Sequence, residues 1–131
     1  MFEKFYGMKV LDVSAYGVDE FDFTCNLLGF GASIGETGYA LLQFQNGNLY
    51  FSTDGITTEK PHRDGVHALV VGNFCRDIVG KTLLAIQNEV DQPKTTFTLT
   101  FRDCKPIVCY FSEEKGFCDR NYYSIDIFDV D

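Results

Sequence analysis

Two histidines with an aspartate between them could form a metal site or supply a general base. His62 and His67 are five residues apart, and Asp64 lies between them. This spacing fits neither the i, i+4 pair of a helical zinc site nor the alternate positions along one face of a strand. Pro61, Asp64 and Gly65 are instead typical of a surface turn. We therefore interpret this segment as a solvated loop.

Three carboxylates around Phe21 could bind calcium or act as a general acid and base. They are Asp19, Glu20 and Asp22. A calcium-binding loop needs a longer series of oxygen ligands at alternating positions, ending in a bidentate Glu. The pattern favours a solvated acidic turn before a strand that begins at Phe21. A surface for docking another protein would have the same composition.

The glycine-rich segment 29–35 resembles a phosphate-binding loop only in its glycine content. It lacks both the G-x-G-x-x-G spacing and the lysine of a P-loop, and it lies in a stretch without positive charge, where a phosphate would be repelled. No serine lies in a G-x-S-x-G nucleophile elbow. The sequence therefore indicates neither nucleotide binding nor a serine nucleophile, and we expect no enzymatic activity.

The cysteines are odd in number, and the N-terminus does not resemble an export signal, so we expect reduced thiols and a cytoplasmic protein. The five are Cys25, Cys75, Cys104, Cys109 and Cys118. On one regular strand the offset between Cys104 and Cys109 would place their sulfurs on opposite faces, which disfavours zinc. We predict that Cys75 and Cys109 are small core residues and that no cofactor is bound.

The charge of the chain is unevenly distributed along the sequence. The net charge is -8, and no Lys or Arg occurs between Val10 and Glu59. That stretch carries seven carboxylates, namely Asp12, Asp19, Glu20, Asp22, Glu36, Asp54 and Glu59. Such a field attracts cations and repels nucleic acid, and it speeds encounter with a basic protein. We expect a basic protein partner, with no binding of nucleic acid or membrane.

Two pairs of segments match when the chain is overlaid on itself. Residues 5–13 (FYGMKVLDV) match residues 78–86 (IVGKTLLAI), and 39–51 match 96–111, with Leu42 and Phe44 over Leu99 and Phe101. We interpret these matches as two copies of one unit consisting of a strand, a connection and a β-hairpin. With 131 residues, 45 % of them hydrophobic, we expect one domain spanning residues 1–131.

Two hairpins have recognisable turns. Asn46-Gly47 suits a tight turn, and it is flanked by the alternating apolar residues Leu42, Phe44, Leu49 and Phe51. In the second hairpin Pro106 belongs at a strand start, which predicts a turn at Arg102–Lys105 and a strand at Ile107–Phe111. Ile107, Cys109 and Phe111 would share one face of that strand.

The remaining segments complete an α+β, mostly β fold of antiparallel sheets, arranged as a sandwich or half-barrel with one or two short helices. We expect helical turns at Asn73–Gly80 and at Phe2–Tyr6, each ended by a glycine. Phe21–Cys25 is predicted to be a strand, and residues 25–38 a partly buried glycine-rich loop. Residues 121–130 alternate like a half-buried strand that closes or edges the sheet.

The sequence contains two paired motifs, GMKVLDV with LQFQNG and GKTLLAI with LTFRDC. The chain is also small and acidic, and it has no recognisable catalytic pattern. In this profile the chain resembles the immunity proteins that protect bacteria from polymorphic toxins, including those of contact-dependent growth inhibition. The resemblance implies that the partner is a cognate toxin domain. Such a domain is often a nuclease with a basic cleft, which the immunity protein blocks by covering the cleft or by binding nearby.

We therefore predict a partner-binding surface built from acidic residues and aromatic anchors. The predicted contact residues are Asp19, Glu20, Asp22, Glu36, Asp54, Glu59, Tyr16, Tyr39 and Tyr50, with Phe21 as a further aromatic anchor. Two other interpretations stay open. The chain could be a small enzyme with a pocket in a β-rich fold, or a phage-derived inhibitor that mimics nucleic acid with its carboxylates.

Overall fold

The computed structural model describes residues 1–25, 31–71, 76–91, 94–111 and 116–119. The first of its two antiparallel sheets has the strand order β6-β5-β4-β1-β7 and consists of β1 (Asp12–Gly17), β4 (Tyr39–Phe44), β5 (Gly47–Ser52), β6 (Gly55–Thr57) and β7 (His67–Leu69). The second has the order β2-β3-β11-β10-β9-β8 and consists of β2 (Phe23–Cys25), β3 (Gly31–Ile34), β8 (Leu83–Asp91), β9 (Lys94–Phe101), β10 (Ile107–Phe111) and β11 (Gly116–Asp119).

Helical structure in the described ranges is limited to three short 3-10 turns: η1 (Glu3–Phe5), η2 (Glu20–Asp22) and η3 (Arg76–Ile78). Both sheets contribute side chains to one buried apolar cluster. Phe97 of the second sheet contacts the ring of Phe2 edge-on, with 6.4 Å between the centroids. The predicted class, mostly β with antiparallel sheets, is confirmed. The short helices predicted at Phe2–Tyr6 and Asn73–Gly80 are the single turns η1 and η3, whereas η2 was not predicted. None of these helical segments is long and apolar enough to cross a membrane.

Both predicted hairpins are present. The first joins β4 to β5, and Gly47 has the positive φ of 146° that the turn requires. The second joins β9 to β10, where Ile107, Cys109 and Phe111 are buried on one face as predicted.

The two predicted copies are visible as a repeated arrangement of turns and strands. Residues of the first copy correspond to residues 73 positions later in the second copy. By this offset η1 (Glu3–Phe5) corresponds to η3 (Arg76–Ile78), and Gly7 corresponds to Gly80. These two glycines have nearly equal positive φ values of 84° and 88°. The strands that follow correspond as well, with β1, β4, β5 and β6 matching β8, β9, β10 and β11 in sheet order.

The copies meet at an approximate two-fold axis, where Lys9 and its counterpart Thr82 form an antiparallel bridge. The hydrogen bonds around the bridge are reciprocal: Gly7 N–H to Leu83 O (2.8 Å), Gly80 N–H to Val10 O (2.8 Å), Leu83 N–H to Met8 O (2.9 Å) and Val10 N–H to Lys81 O (3.0 Å). Each copy thus uses the start of the other to satisfy backbone groups that would otherwise be unpaired.

Strand register confirms the overlay made from the sequence. Val13 lies opposite Leu42 in the first sheet, and its counterpart Ile86 lies opposite Leu99 in the second. Leu42 and Leu99 are both buried in the shared core. The two hairpins therefore present equivalent apolar faces to each other.

The copies differ in what connects their first two strands. In the second copy β8 turns back into β9 after Asp91, which pairs with Lys94. In the first copy η2, β2 and β3 are inserted between β1 and β4, and β3 pairs with β11 of the other sheet. The predicted loop is therefore wrong at Gly31–Ile34, because two flanking strands pair with that backbone and bury Gly31 and Ala32.

The predicted strand at Phe21–Cys25 begins later, at Phe23, because the preceding residues form η2. The predicted strand at 121–130 and the predicted helix start at 73–75 lie outside the described residues.

Candidate functional site: the acidic end around Phe21

The first sheet brings several of its connections to one end. Because neighbouring strands are antiparallel, β1 finishes where β4 begins and where β5 finishes. The loops that follow β1, precede β4 and follow β5 therefore meet there. These loops carry Asp19, Glu20, Glu36 and Asp54, all exposed. We call these four residues the acidic end.

Asp22 links two of those loops from inside. Its Oδ2 accepts hydrogen bonds from the N–H groups of Val18 (2.7 Å) and Asp19 (3.3 Å) and from the hydroxyl of Thr37 (2.6 Å). The backbone N–H of Gly35 also donates to the Asp22 carbonyl, at 2.9 Å. The loop after β1 is thereby fixed against the turn between β3 and β4.

Three glycines allow this close approach to Asp22. A Cβ at Gly17 would lie 2.4 Å from the Asp22 Cβ, one at Gly38 would lie 2.5 Å from the Asp22 carbonyl oxygen, and one at Gly35 would lie 2.8 Å from Oδ1. Real Cβ atoms do not come so near, so each position excludes larger residues without a backbone shift. Sequence reasoning placed Asp22 on the binding surface. In the structure its side chain is instead buried and hydrogen-bonded, because these glycines give it room.

The pKa of Asp22 is lowered from its ordinary value. Burial by itself raises the pKa, since it disfavours the charged form. Hydrogen bonds from Thr37, Val18 and Asp19 stabilise the carboxylate and outweigh burial. Asp22 is therefore ionised at neutral pH, with its charge directed into the two loops.

Phe21 projects from this rigid base into solvent. Asp19 caps η2 by accepting a hydrogen bond from the Phe21 N–H at 2.8 Å, and Asp19 and Asp22 together form a capping box. The Phe21 side chain is 73 % exposed, beside Asp19 and Glu20. An aromatic ring held on a fixed turn among carboxylates is the most prominent apolar feature of the acidic end.

The three predicted tyrosines form a row on the outer face of the first sheet. Tyr16 and Tyr39 are opposite each other in the strand register, and their rings stack with 5.4 Å between centroids. Tyr50 contacts Tyr39 edge-on at 6.1 Å. Tyr39 is only 2 % exposed, since its ring lies between the other two. Tyr16 and Tyr50 are half-buried, so they are the members that a partner can reach.

Asp54 and Glu59 line a shallow groove of about 440 Å³ with Lys60. Arg63 Nη2 lies 3.6 Å from Asp54 Oδ2, and the Arg63 side chain is 19 % exposed. Two cations therefore accompany these two carboxylates, whereas no described ion pair involves Asp19, Glu20 or Glu36. The net negative charge of the acidic end is greatest around Phe21.

Six described cations lie toward the opposite end of the strands. They are Lys4, beside the β4–β5 turn, Lys9 and Lys81 at the two-fold bridge, Arg76 in η3, which lines a groove with Asp12, and Arg102 and Lys105 in the β9–β10 turn. Glu3, Asp12 and Asp103 are also found there. The described part of the molecule is thus polarised along its strands, with mixed charge at one end and predominantly negative charge at the other.

Other candidate chemistry is dispersed in the described ranges. His62 and His67 are exposed, and no group of three His, Cys, Asp or Glu residues there could hold a metal ion. A second carboxylate with a lowered pKa is Glu3. Its carboxylate accepts a hydrogen bond from the N-terminal amine, which favours the charged form of Glu3. A groove of about 650 Å³ runs along β1 and β7, with Ser14 and Ala68 among its lining residues.

Comparison of the chain with protein-family models, curated proteins and solved structures finds no match.

Proposed function

We propose that this protein binds a basic protein through its acidic end and works as an immunity-type inhibitor of a toxin domain. The observation that carries the proposal is the gathering of Asp19, Glu20 and Glu36 around exposed Phe21, on loops that Asp22 fixes. Long-range attraction to carboxylates raises association rates. A buried aromatic anchor then supplies much of the final affinity.

The structure also suggests how such a surface would avoid reorganisation on binding. Hydrogen bonds from Val18, Asp19 and Thr37 already hold the loops in place. Binding then orders few backbone groups, which lowers the entropic cost of association. A toxin nuclease fits this surface because its nucleic-acid cleft carries the complementary charge.

The proposed interface is narrower than the set of residues predicted from the sequence. Asp19, Glu20, Glu36 and Phe21 form its centre, and Tyr16 with Tyr50 on the adjacent sheet face extend it. Asp54 and Glu59 lie at its margin, where Lys60 and Arg63 offset their charge. Asp22 and Tyr39 support the surface from within.

The charge proposal is tested by the double substitution Glu20→Lys with Glu36→Lys. We expect the association rate with the purified basic partner to fall by about tenfold or more at low salt, as steering by carboxylates is lost. Stopped-flow or surface plasmon resonance measures this rate. The matched control is Glu3→Lys with Asp12→Lys, which changes net charge equally at the opposite end and should slow association much less. Equal slowing by both pairs would exclude a localised acidic interface.

The anchor is tested separately with Phe21→Ala. Because this ring is 73 % exposed, its removal should leave folding intact. We expect a loss of about 2 kcal/mol of binding free energy, or about thirtyfold, seen as faster dissociation with little change in association. The inhibitory role is tested with the same variants, by titrating the partner's toxic activity with equimolar protein. Unchanged dissociation of Phe21→Ala would show that Phe21 lies outside the interface.

A further inference from the structure

The strand β8 forms an unusually long sheet edge. It has nine residues, whereas β6 and β7, which form the edges of the first sheet, have three residues each. An edge strand presents N–H and C=O groups that can pair with another chain, and proteins commonly shorten or cover such edges. The backbone groups on the outer side of β8 therefore need a partner or remain available to another chain.

The first half of this edge is covered by the N-terminal segment. Leu83 exchanges two backbone hydrogen bonds with Gly7 and Met8, at 2.8 and 2.9 Å. Farther along, the Tyr6 hydroxyl accepts a hydrogen bond from Ile86 N–H at 3.0 Å and donates to Ile86 O at 3.3 Å. A single side chain thus takes the place of a neighbouring strand at Ile86.

The second half of the edge is open in the described structure. Since the backbone groups of Ile86 face away from β9, those of Asn88 and Val90 do so too, because this direction alternates along an antiparallel strand. Beyond Ile86, no described residue pairs with β8 on that side. Asn88 itself is exposed.

The other copy shows what fits at this position. On β1 the corresponding stretch is Ala15–Gly17, which becomes Asn88–Val90 when 73 is added. There β7 pairs antiparallel with the edge through His67, Ala68 and Leu69. We propose that the β8 edge at Asn88–Val90 binds an extended segment of the basic partner as an added antiparallel strand, in the manner of β7 on β1.

The charge of β8 selects the kind of segment. β8 contains Glu89 and Asp91 and no Lys or Arg, and Asp91 already lies opposite Lys94 of β9, so Glu89 is the acid without an opposite charge across this strand pair. Opposite charges across neighbouring strands stabilise a pair and like charges destabilise it, so a second copy of this edge is disfavoured and a basic segment is favoured. The open half of β8 lies at the same end of the strands as the Glu36 turn. Val90 pairs with Thr95, Thr95 with Phe111, Phe111 with Gly116, and Gly116 with Ile34, which ends β3 just before that turn. This assignment of the partner's chemistry rests on the proposed function.

Amide hydrogen exchange of the isolated protein tests whether the edge is open. We expect the N–H groups of Asn88 and Val90 to exchange quickly, and those of Gln87 and Glu89, which face β9, to exchange slowly. Slow exchange at all four would mean that the edge is already occupied and would overturn the proposal. Sedimentation of the same sample as a dimer that Asn88→Pro converts to monomer would also overturn it, in favour of a second copy.

Peptide binding tests the occupant. The probe is an acetylated and amidated peptide with the sequence of residues 66–70 flanked by lysines, titrated to millimolar concentration into isotope-labelled protein. We expect chemical-shift changes centred on Asn88 and Val90, weaker with a glutamate-flanked peptide. Asn88→Pro should abolish them without disturbing the ladder to β9, since this N–H faces solvent, and Asn88→Ala should retain them.

No shift, or shifts centred elsewhere, would refute strand addition at β8. Either result leaves the acidic-end proposal untouched, because the kinetic test of that proposal uses Glu20 and Glu36. Conversely, normal peptide binding with unchanged association of the Glu20→Lys, Glu36→Lys variant would retain the β8 site and remove the acidic end.

Discussion

The two copies share a frame but differ in their first connection. Both begin with a 3-10 turn and a glycine of positive φ, and both continue into a strand and a hairpin. In the second copy β8 returns directly into β9, whereas in the first the chain between β1 and β4 forms η2, β2 and β3. The shared part supplies core and backbone pairing. The inserted part supplies Asp19, Glu20, Phe21 and Glu36.

This difference places the centre of the proposed interface on the insertion, and the shared core on the frame. The frame is tied by reciprocal hydrogen bonds around Lys9 and Thr82, and changes there should affect both copies. The insertion is held by the pairing of β3 with β11, and Asp22, the one buried carboxylate among the described residues, joins its loops. The location of the proposed interface on the insertion agrees with the usual location of functional residues on loops above a rigid scaffold.

The largest expected effect comes from the matched core variants Leu42→Ala and Leu99→Ala. Their side chains are 3 % and 0 % exposed at corresponding hairpin positions. Each substitution should cost about 2–5 kcal/mol of unfolding free energy, through lost burial and the cavity left behind. Urea denaturation measures both. Gln43→Ala, on the exposed opposite face of β4, is the control and should stay within about 0.5 kcal/mol of wild type. A large cost in only one copy would contradict a shared core.

The next largest effect is expected at Asp22, which lies in the inserted segment and therefore has no counterpart in the second copy. Asp22→Asn keeps the size of the side chain but replaces a charged acceptor of three hydrogen bonds. We expect a loss of about 1–3 kcal/mol of unfolding free energy at neutral pH. The exposed variant Glu36→Gln is the control and should cost much less. Loss of the ordered loops should also reduce the partner's association rate.

The same pair of proteins gives a pH test. The pKa of Asp22 is lower in the folded than in the unfolded state, where it is about 3.9. Its stabilising contribution is therefore complete above the unfolded pKa and is lost as the pH falls through the folded pKa. The difference in unfolding free energy between wild type and Asp22→Asn should narrow in acid, as denaturation at several pH values would show. A constant difference down to the lowest accessible pH would mean that the charge of Asp22 is unimportant.

The frame could be predicted from the sequence because its signals are local. Asn46-Gly47 with alternating apolar neighbours specifies a hairpin, and the overlay of Leu42 on Leu99 agrees with the strand register. The short turns before Gly7 and Gly80 were likewise predicted, although each is a single 3-10 turn. The short edge strands β6 and β7 were not, since three residues carry too little periodicity.

The candidate site was only partly predictable because tertiary contacts determine burial. Asp22 and Asp19 differ little in the sequence, yet Gly17, Gly35 and Gly38 surround only Asp22. The available signal was the capping box, two aspartates three residues apart at the start of a turn. Tyr39 was predicted to be a contact residue, but Tyr16 and Tyr50 flank its ring. β3 was not predicted because glycine has a low strand propensity. In the fold, pairing with β2 on one side and β11 on the other overrides that propensity.

The smallest effect tests the two-fold frame itself through Gly7→Ala and Gly80→Ala. A Cβ at either position would meet no atom within 4 Å, so steric contact should add nothing to the cost. What remains is the left-handed backbone, with φ of 84° and 88°, which should cost about 1–2 kcal/mol for an L-residue at each site. Equal losses in urea denaturation are expected, because the two backbones and their hydrogen bonds are equivalent. If one substitution were neutral, that glycine's turn would have to be free to relax, and the reciprocal bonds around Lys9 and Thr82 would not hold both copies equally.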